Sequence, residues 1–145
     1  MKLLLFAAAA ALAVSGESLG DLKNVYVLPM ANGLDQYLAL RLTTGAVMQV
    51  VTDPQKADAV LTDRIGKSLE DKLDELYGRA SKNESAYGTA MQGVRRSQGA
   101  IFLIDRKTRD VVWSDYQHPR NTTPDGLNHV AEKIVKQLEK DRKGK

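Results

Sequence analysis

The side chains with chemistry to weigh are two histidines, a few serines and a set of arginines and lysines near one turn. His118 stands before Pro119 in a loop, and His129 falls between Leu127 and Val130 on an expected helix. That is not metal-ligand spacing, and zinc needs convergent ligands. Glu132, three residues after His129, makes one helical pair and no more. Ser68, Ser97 and Ser114 lack the strand–turn–helix setting of an activated serine. No phosphate-cradling or dinucleotide glycine pattern is present. The absence of cysteine excludes disulfides, thiolate metal sites, cysteine nucleophiles and lipid attachment to an N-terminal cysteine. No catalytic, cofactor-binding or metal-binding residue is picked out. What remains is charge. Arg95 and Arg96, with Arg106, Lys107 and Arg109, form a basic patch if the preceding segment folds near the turn. Such a patch would meet an anionic partner: a lipid headgroup, lipopolysaccharide or peptidoglycan. Charged turns are also the norm for solvated loops, so both readings stand. Asn121-Thr122-Thr123 matches a glycosylation acceptor and is read as accidental.

These residues hang on a hairpin from Gly99 to Tyr116. Ile101 to Ile104 are apolar on both faces, as a central strand requires. Val111, Val112 and Trp113 suit a half-buried pleated surface, with Trp113 in the core. Asp105 is placed to accept hydrogen bonds from the turn backbone. Upstream, Asn24 to Met30 is the first strand, with Pro29 at its exit. A helix over residues 33–44 follows, with Asn32 as cap and Gly45 at its end, free to take φ > 0. Val47 to Thr52 is the second strand. Asp53-Pro54 starts one helical turn, and Ala59 to Ile65 is the third strand. Ser68 to Asp71 is a capping-box pattern opening a short helix on Leu69, Leu73 and Leu76. From Gly78 to Gln98 no apolar period holds the chain, which reads as a mobile connection, either functional, ordering on contact with a partner, or merely disordered. After the hairpin, Thr123-Pro124 opens the last helix, whose apolar stripe runs from Leu127 to Leu138. Glu132–Lys136 and Glu139–Lys143 are i,i+4 pairs. Lys140 to Lys145 is expected to fray. Two main helices and about five strands give an α/β (α+β) two-layer sandwich with a mixed sheet.

A formal charge of +3 on 145 residues is too small to imply a polyanion partner, which argues against nucleic acid. Lys2 followed by an apolar run from Leu3 to Val14 reads as a secretory signal peptide, residues 1–16, with the mature chain starting near Glu17. The run is short for a membrane span, which needs about 20 residues, and the alternative to a cleaved leader is an uncleaved N-terminal anchor. The expected organisation is a leader and one domain over 17–145 with a mobile insertion at about 67–98, and a periplasmic or secreted location.

Val-Tyr-Val-Leu-Pro, Val-Val-Thr-Asp-Pro, Lys-Ala-Asp-Ala-Val-Leu-Thr-Asp-Arg-Ile-Gly and Ile-Phe-Leu-Ile-Asp-Arg-Lys-Thr-Arg-Asp-Val-Val-Trp-Ser together resemble a broad group of small bacterial envelope proteins. The group includes the N-terminal domain of TolB, the globular part of CsgG, LpoB and LptE. The resemblance implies a protein that binds envelope components and catalyses nothing, and no active site is carried over from it. Many members are lipoproteins, and this chain lacks the cysteine. Members often carry Gly in the hairpin turn where Arg109 stands here, so Arg109 is expected in an uncomfortable backbone conformation. The reading is therefore a non-catalytic periplasmic accessory or binding protein in envelope assembly or transport, without cofactor, its partner an envelope protein or anionic envelope component. The alternatives are a periplasmic hydrolase with an unrecognised site, a nucleic-acid binder, and a domain that dimerises through a strand edge.

Overall fold

The computed structural model describes residues 19–78 and 99–144. The expected leader and the stretch 79–98, with Arg95, Arg96 and Ser97, lie outside the described residues. Five strands form one mixed sheet in the order β2-β1-β3-β4-β5. They are β1 (Asn24–Val27), β2 (Gln49–Val50), β3 (Ala59–Thr62), β4 (Ala100–Asp105) and β5 (Val111–Tyr116). β2, β1 and β3 run parallel; β4 is antiparallel to β3, and β5 to β4. The expected α+β sandwich is the observed one. Strands β1, β2 and β3 are shorter than their apolar runs, because only part of each run finds a ladder partner.

The helices are α1 (Leu34–Thr44), α2 (Lys67–Tyr77) and α3 (Pro124–Lys143). α1 and α3 pack together on one face of the sheet. Their leucines, valines and Ile134 close over Val25, Ala59, Leu61, Ile101, Leu103 and Trp113. The alternate residues, Tyr26, Val60, Phe102 and Ile104, point to the opposite face, as period-two geometry demands. There α2 lays Leu69 and Leu73 on them. The part of the insertion within 67–77 is thus a helix with a packed face. The chain before β1 is more than a polar lead: Leu22 is fully buried and joins the main core.

Local signals explain the helix ends, and four expected ones fall elsewhere. Thr123 caps α3 as expected, accepting from Gly126 N at 3.2 Å, with Pro124 in the first turn. Asn121 Oδ1 accepts from Thr123 N at 3.2 Å and from its hydroxyl. The apparent glycosylation pattern is therefore a capping network, and a Cβ on Gly126 would collide with Asn121. Ser68 does not cap α2; Gly66 does, and Ser68 is already helical. Asn32 does not cap α1, which starts after Gly33, and Asn32 sits at φ 60°. Asp35 instead reaches back to Met30 N at 3.0 Å. α3 does not fray at Lys140; it runs on to Lys143, anchored where Asp141 accepts from Trp113 Nε1 at 2.8 Å.

The end of α1 holds the clearest strain. Gly45 has φ −84°, and the positive φ of 51° falls on Ala46. Val47 N bonds Leu42 O at 3.1 Å and Ala46 N bonds Thr43 O at 3.2 Å. This is a paired C-terminal closure whose left-handed residue is usually glycine. An alanine there costs about 1–2 kcal/mol of steric strain. Ala46→Gly should accordingly raise stability by about 1 kcal/mol in urea unfolding, with an unchanged m-value; a loss of stability would contradict the assignment.

Candidate functional site

The hairpin turn carries the basic residues singled out above. Its scaffold is Asp105, nearly fully buried, whose carboxylate accepts from Lys107 N at 2.8 Å and Thr108 N at 3.3 Å. Arg109 closes the turn at φ 61°, the conformation expected of it, and its N–H donates to Asp105 O at 2.8 Å. Arg106 and Arg109 then leave the turn in the direction of α2, and both guanidinium groups have partners within the chain.

Arg106 Nη1 donates to Gln55 O at 2.7 Å and to Ala57 O at 3.3 Å, and Nη2 to Gln55 Oε1 at 3.0 Å. The guanidinium carbon lies 4.4 Å from the centroid of the Tyr77 ring, a cation–π contact. Gln55 Nε2 in turn donates to Leu76 O at 2.9 Å, at the end of α2. Arg109 Nη1 meets Asp74 Oδ1 at 2.7 Å, and Nη2 meets Gly78 O at 2.8 Å. Lys107 is exposed beside them. The turn thus brings Arg106, Lys107 and Arg109 together, but the two arginines fasten the C-terminal end of α2 to the sheet. These bonds are charge-assisted and partly shielded, with the Arg109 and Asp74 side chains 20% and 33% exposed.

The two histidines are apart and exposed. His118 Nδ1 lies 3.3 Å from the Tyr116 hydroxyl. Glu132 turns from His129 to Lys136 at 2.8 Å and Arg41 at 3.8 Å. The Lys136 hydrogen bond, then the Lys136 and Arg41 charges, hold its carboxyl below the usual range. Among the described residues no three His, Cys, Asp or Glu converge as metal ligands, and no helix is long and apolar enough to cross a membrane.

Sequence reasoning missed a cleft at the other edge of the sheet. It opens beside β2 with a volume of about 320 Å³, lined by Lys23, Thr43, Val47, Met48, Val50 and Arg142 among others. Lys23 precedes β1 and Arg142 sits in the last turn of α3, so no local pattern could join them. The chain matches no protein-family model, no curated protein and no solved structure.

Tyr77 gives this region a pH signature. Its hydroxyl is buried with no hydrogen-bond partner among the described residues, and burial raises its pKa above the ordinary 10.0, Arg106 partly opposing. A phenol that keeps its proton longer in the folded state loses stability as pH rises past 10.0, because the unfolded chain ionises first. Tyr77→Phe should be neutral or slightly stabilising near pH 7, where it removes an unsatisfied hydroxyl. It should lose less stability than the parent above about pH 10 in denaturant titrations. Parallel pH profiles for the two proteins would refute this.

Proposed function

We propose that this chain is a non-catalytic accessory or binding protein of the bacterial cell envelope, periplasmic or secreted, acting in envelope assembly or transport and akin to the TolB N-terminal, CsgG, LpoB and LptE group. The observation that carries the reading is the free edge of β5. Among the described residues β5 pairs with β4 alone. It is six residues long, whereas the opposite edge strand has two. It carries neither Pro nor Lys, the residues with which monomeric proteins usually blunt an edge. Val111 and Tyr116, at its two ends, are 46% and 60% exposed. Such an edge takes an extended segment of another protein by main-chain hydrogen bonds, with side chains adding selectivity. The apolar leader and the resemblance supply the compartment. The engagement of Arg106 by Gln55, Ala57 and the Tyr77 ring, and of Arg109 by Asp74 and Gly78, shifts the expected contact from the basic turn to the strand beside it.

The test is photo-crosslinking in bacterial cells from benzophenone placed at Tyr116, with Lys133 on α3 as the control position. The expected result is a discrete adduct with an envelope component from Tyr116 and none from Lys133. No adduct, or one with a second copy of the chain only, would overturn the reading.

A further inference from the structure

Arg142 is the one described arginine whose guanidinium has a fully buried nitrogen, Nη1, without a hydrogen-bond partner among the described residues. Leaving a buried charged donor unpaired costs more than leaving a neutral one unpaired. The arginines at the hairpin turn show the ordinary solution, with acceptors from three chain segments. Arg142 instead lines the cleft beside β2, where Lys23 is the second cation. The lining holds no carboxylate. The nearest acid in sequence, Asp141, accepts from Trp113 Nε1 at 2.8 Å and Gln137 Nε2 at 3.0 Å. The Thr43 hydroxyl donates to Ala39 O at 2.8 Å, so its oxygen retains acceptor capacity only. The rest of the lining is apolar apart from Gln49: Ala46, Val47, Met48 and Val50.

We propose that this cleft binds a phosphate group carried on an apolar stem, with Arg142 and Lys23 sharing the phosphate oxygens and Val47, Met48 and Val50 taking the stem. A guanidinium and an ammonium on two different elements suit a tetrahedral polyoxyanion, which offers oxygens in several directions. The volume is near the lower end for small-ligand sites, about 300–1,000 Å³, so the occupant is a head group and a short stem rather than a whole lipid. The site lies at the sheet edge opposite β5, so it stands or falls independently of the partner proposed above.

Calorimetric titration of the purified protein tests it with two probes, dihexanoylphosphatidic acid below its micelle concentration and inorganic phosphate. The expected result is saturable one-to-one binding of the lipid at submillimolar affinity, with phosphate competing more weakly. Arg142→Gln and Lys23→Gln should each weaken lipid binding about tenfold, the effect of removing one charge-assisted contact. Lys23 is exposed, so K23Q keeps the test valid if R142Q loosens α3. If phosphate binds as tightly as the lipid and both variants weaken it, the phosphate site is upheld and its source is free phosphate. No saturable heat with either probe at millimolar concentration, or equal affinity in K23Q and the parent, would overturn the proposal.

Discussion

Strand β3 has no solvent side. Each residue from Ala59 to Thr62 is buried, so the centre of the sheet must be covered on both faces. On one face the task falls to α1 and α3, which bring nine buried apolar side chains, three and six, to the main core. On the other it falls to α2, which buries only Leu69 and Leu73. Two leucines are a weak hold for an eleven-residue helix, since most helical stability in proteins comes from the packed face. Leu76 and Tyr77 add partly buried contacts to the same cluster, and the rest of the attachment is polar and comes from the hairpin turn and the turn after Asp53: Arg106 on Gln55 and Tyr77, Gln55 on Leu76, Arg109 on Asp74 and Gly78. The charges in the turn follow from the burial of β3. Asp105 must be buried to organise the turn, the turn must aim two arginines at α2, and α2 must sit there because Val60 and Ile104 cannot face water.

The same logic accounts for the Ala-Asp-Ala-Val-Leu stretch. Ala57, Ala59, Val60 and Leu61 are buried on one face or the other, while Asp58 lies between them. Its carboxylate accepts from Lys23 N at 3.0 Å and Asn24 N at 2.9 Å, fixing the start of β1, and its carbonyl accepts from Arg106 N at 3.0 Å. One acid thus joins β1, β3 and the hairpin turn. Asp63 repeats the device at the far end, accepting from Ala31 N at 2.9 Å.

What the sequence made legible was local. The hairpin, the Asp105 turn, the Asp53-Pro54 and Thr123-Pro124 starts and the α3 stripe all depend on residues within a few positions of one another, whereas the uncomfortable conformation of Arg109 was expected from the resemblance. The α1 ending went astray because a glycine and an alanine compete for one left-handed position, and the register of Val47 on Leu42 decides it. Ser68 went astray because Gly66, with φ 115°, turns the chain two residues earlier. The basic residues were visible, but their partners, in the turn after Asp53 and at the end of α2, are some thirty to fifty positions away in sequence and carry no periodic signal. Arg142 and Lys23 come from opposite ends of the chain, so the cleft they share depends wholly on tertiary packing. The fold leaves two sheet edges of unlike character: a short one with a cationic, aliphatic cleft and a longer one with exposed Val111 and Tyr116.

The central claim is that the turn arginines hold α2 on the sheet. Native-state hydrogen exchange of an Arg106→Met, Arg109→Met double variant tests it most directly. The account predicts that amides from Leu73 to Tyr77 lose protection by about tenfold or more, the size of one or two charge-assisted bonds, while α3 is unchanged. Undiminished protection across α2 would contradict it.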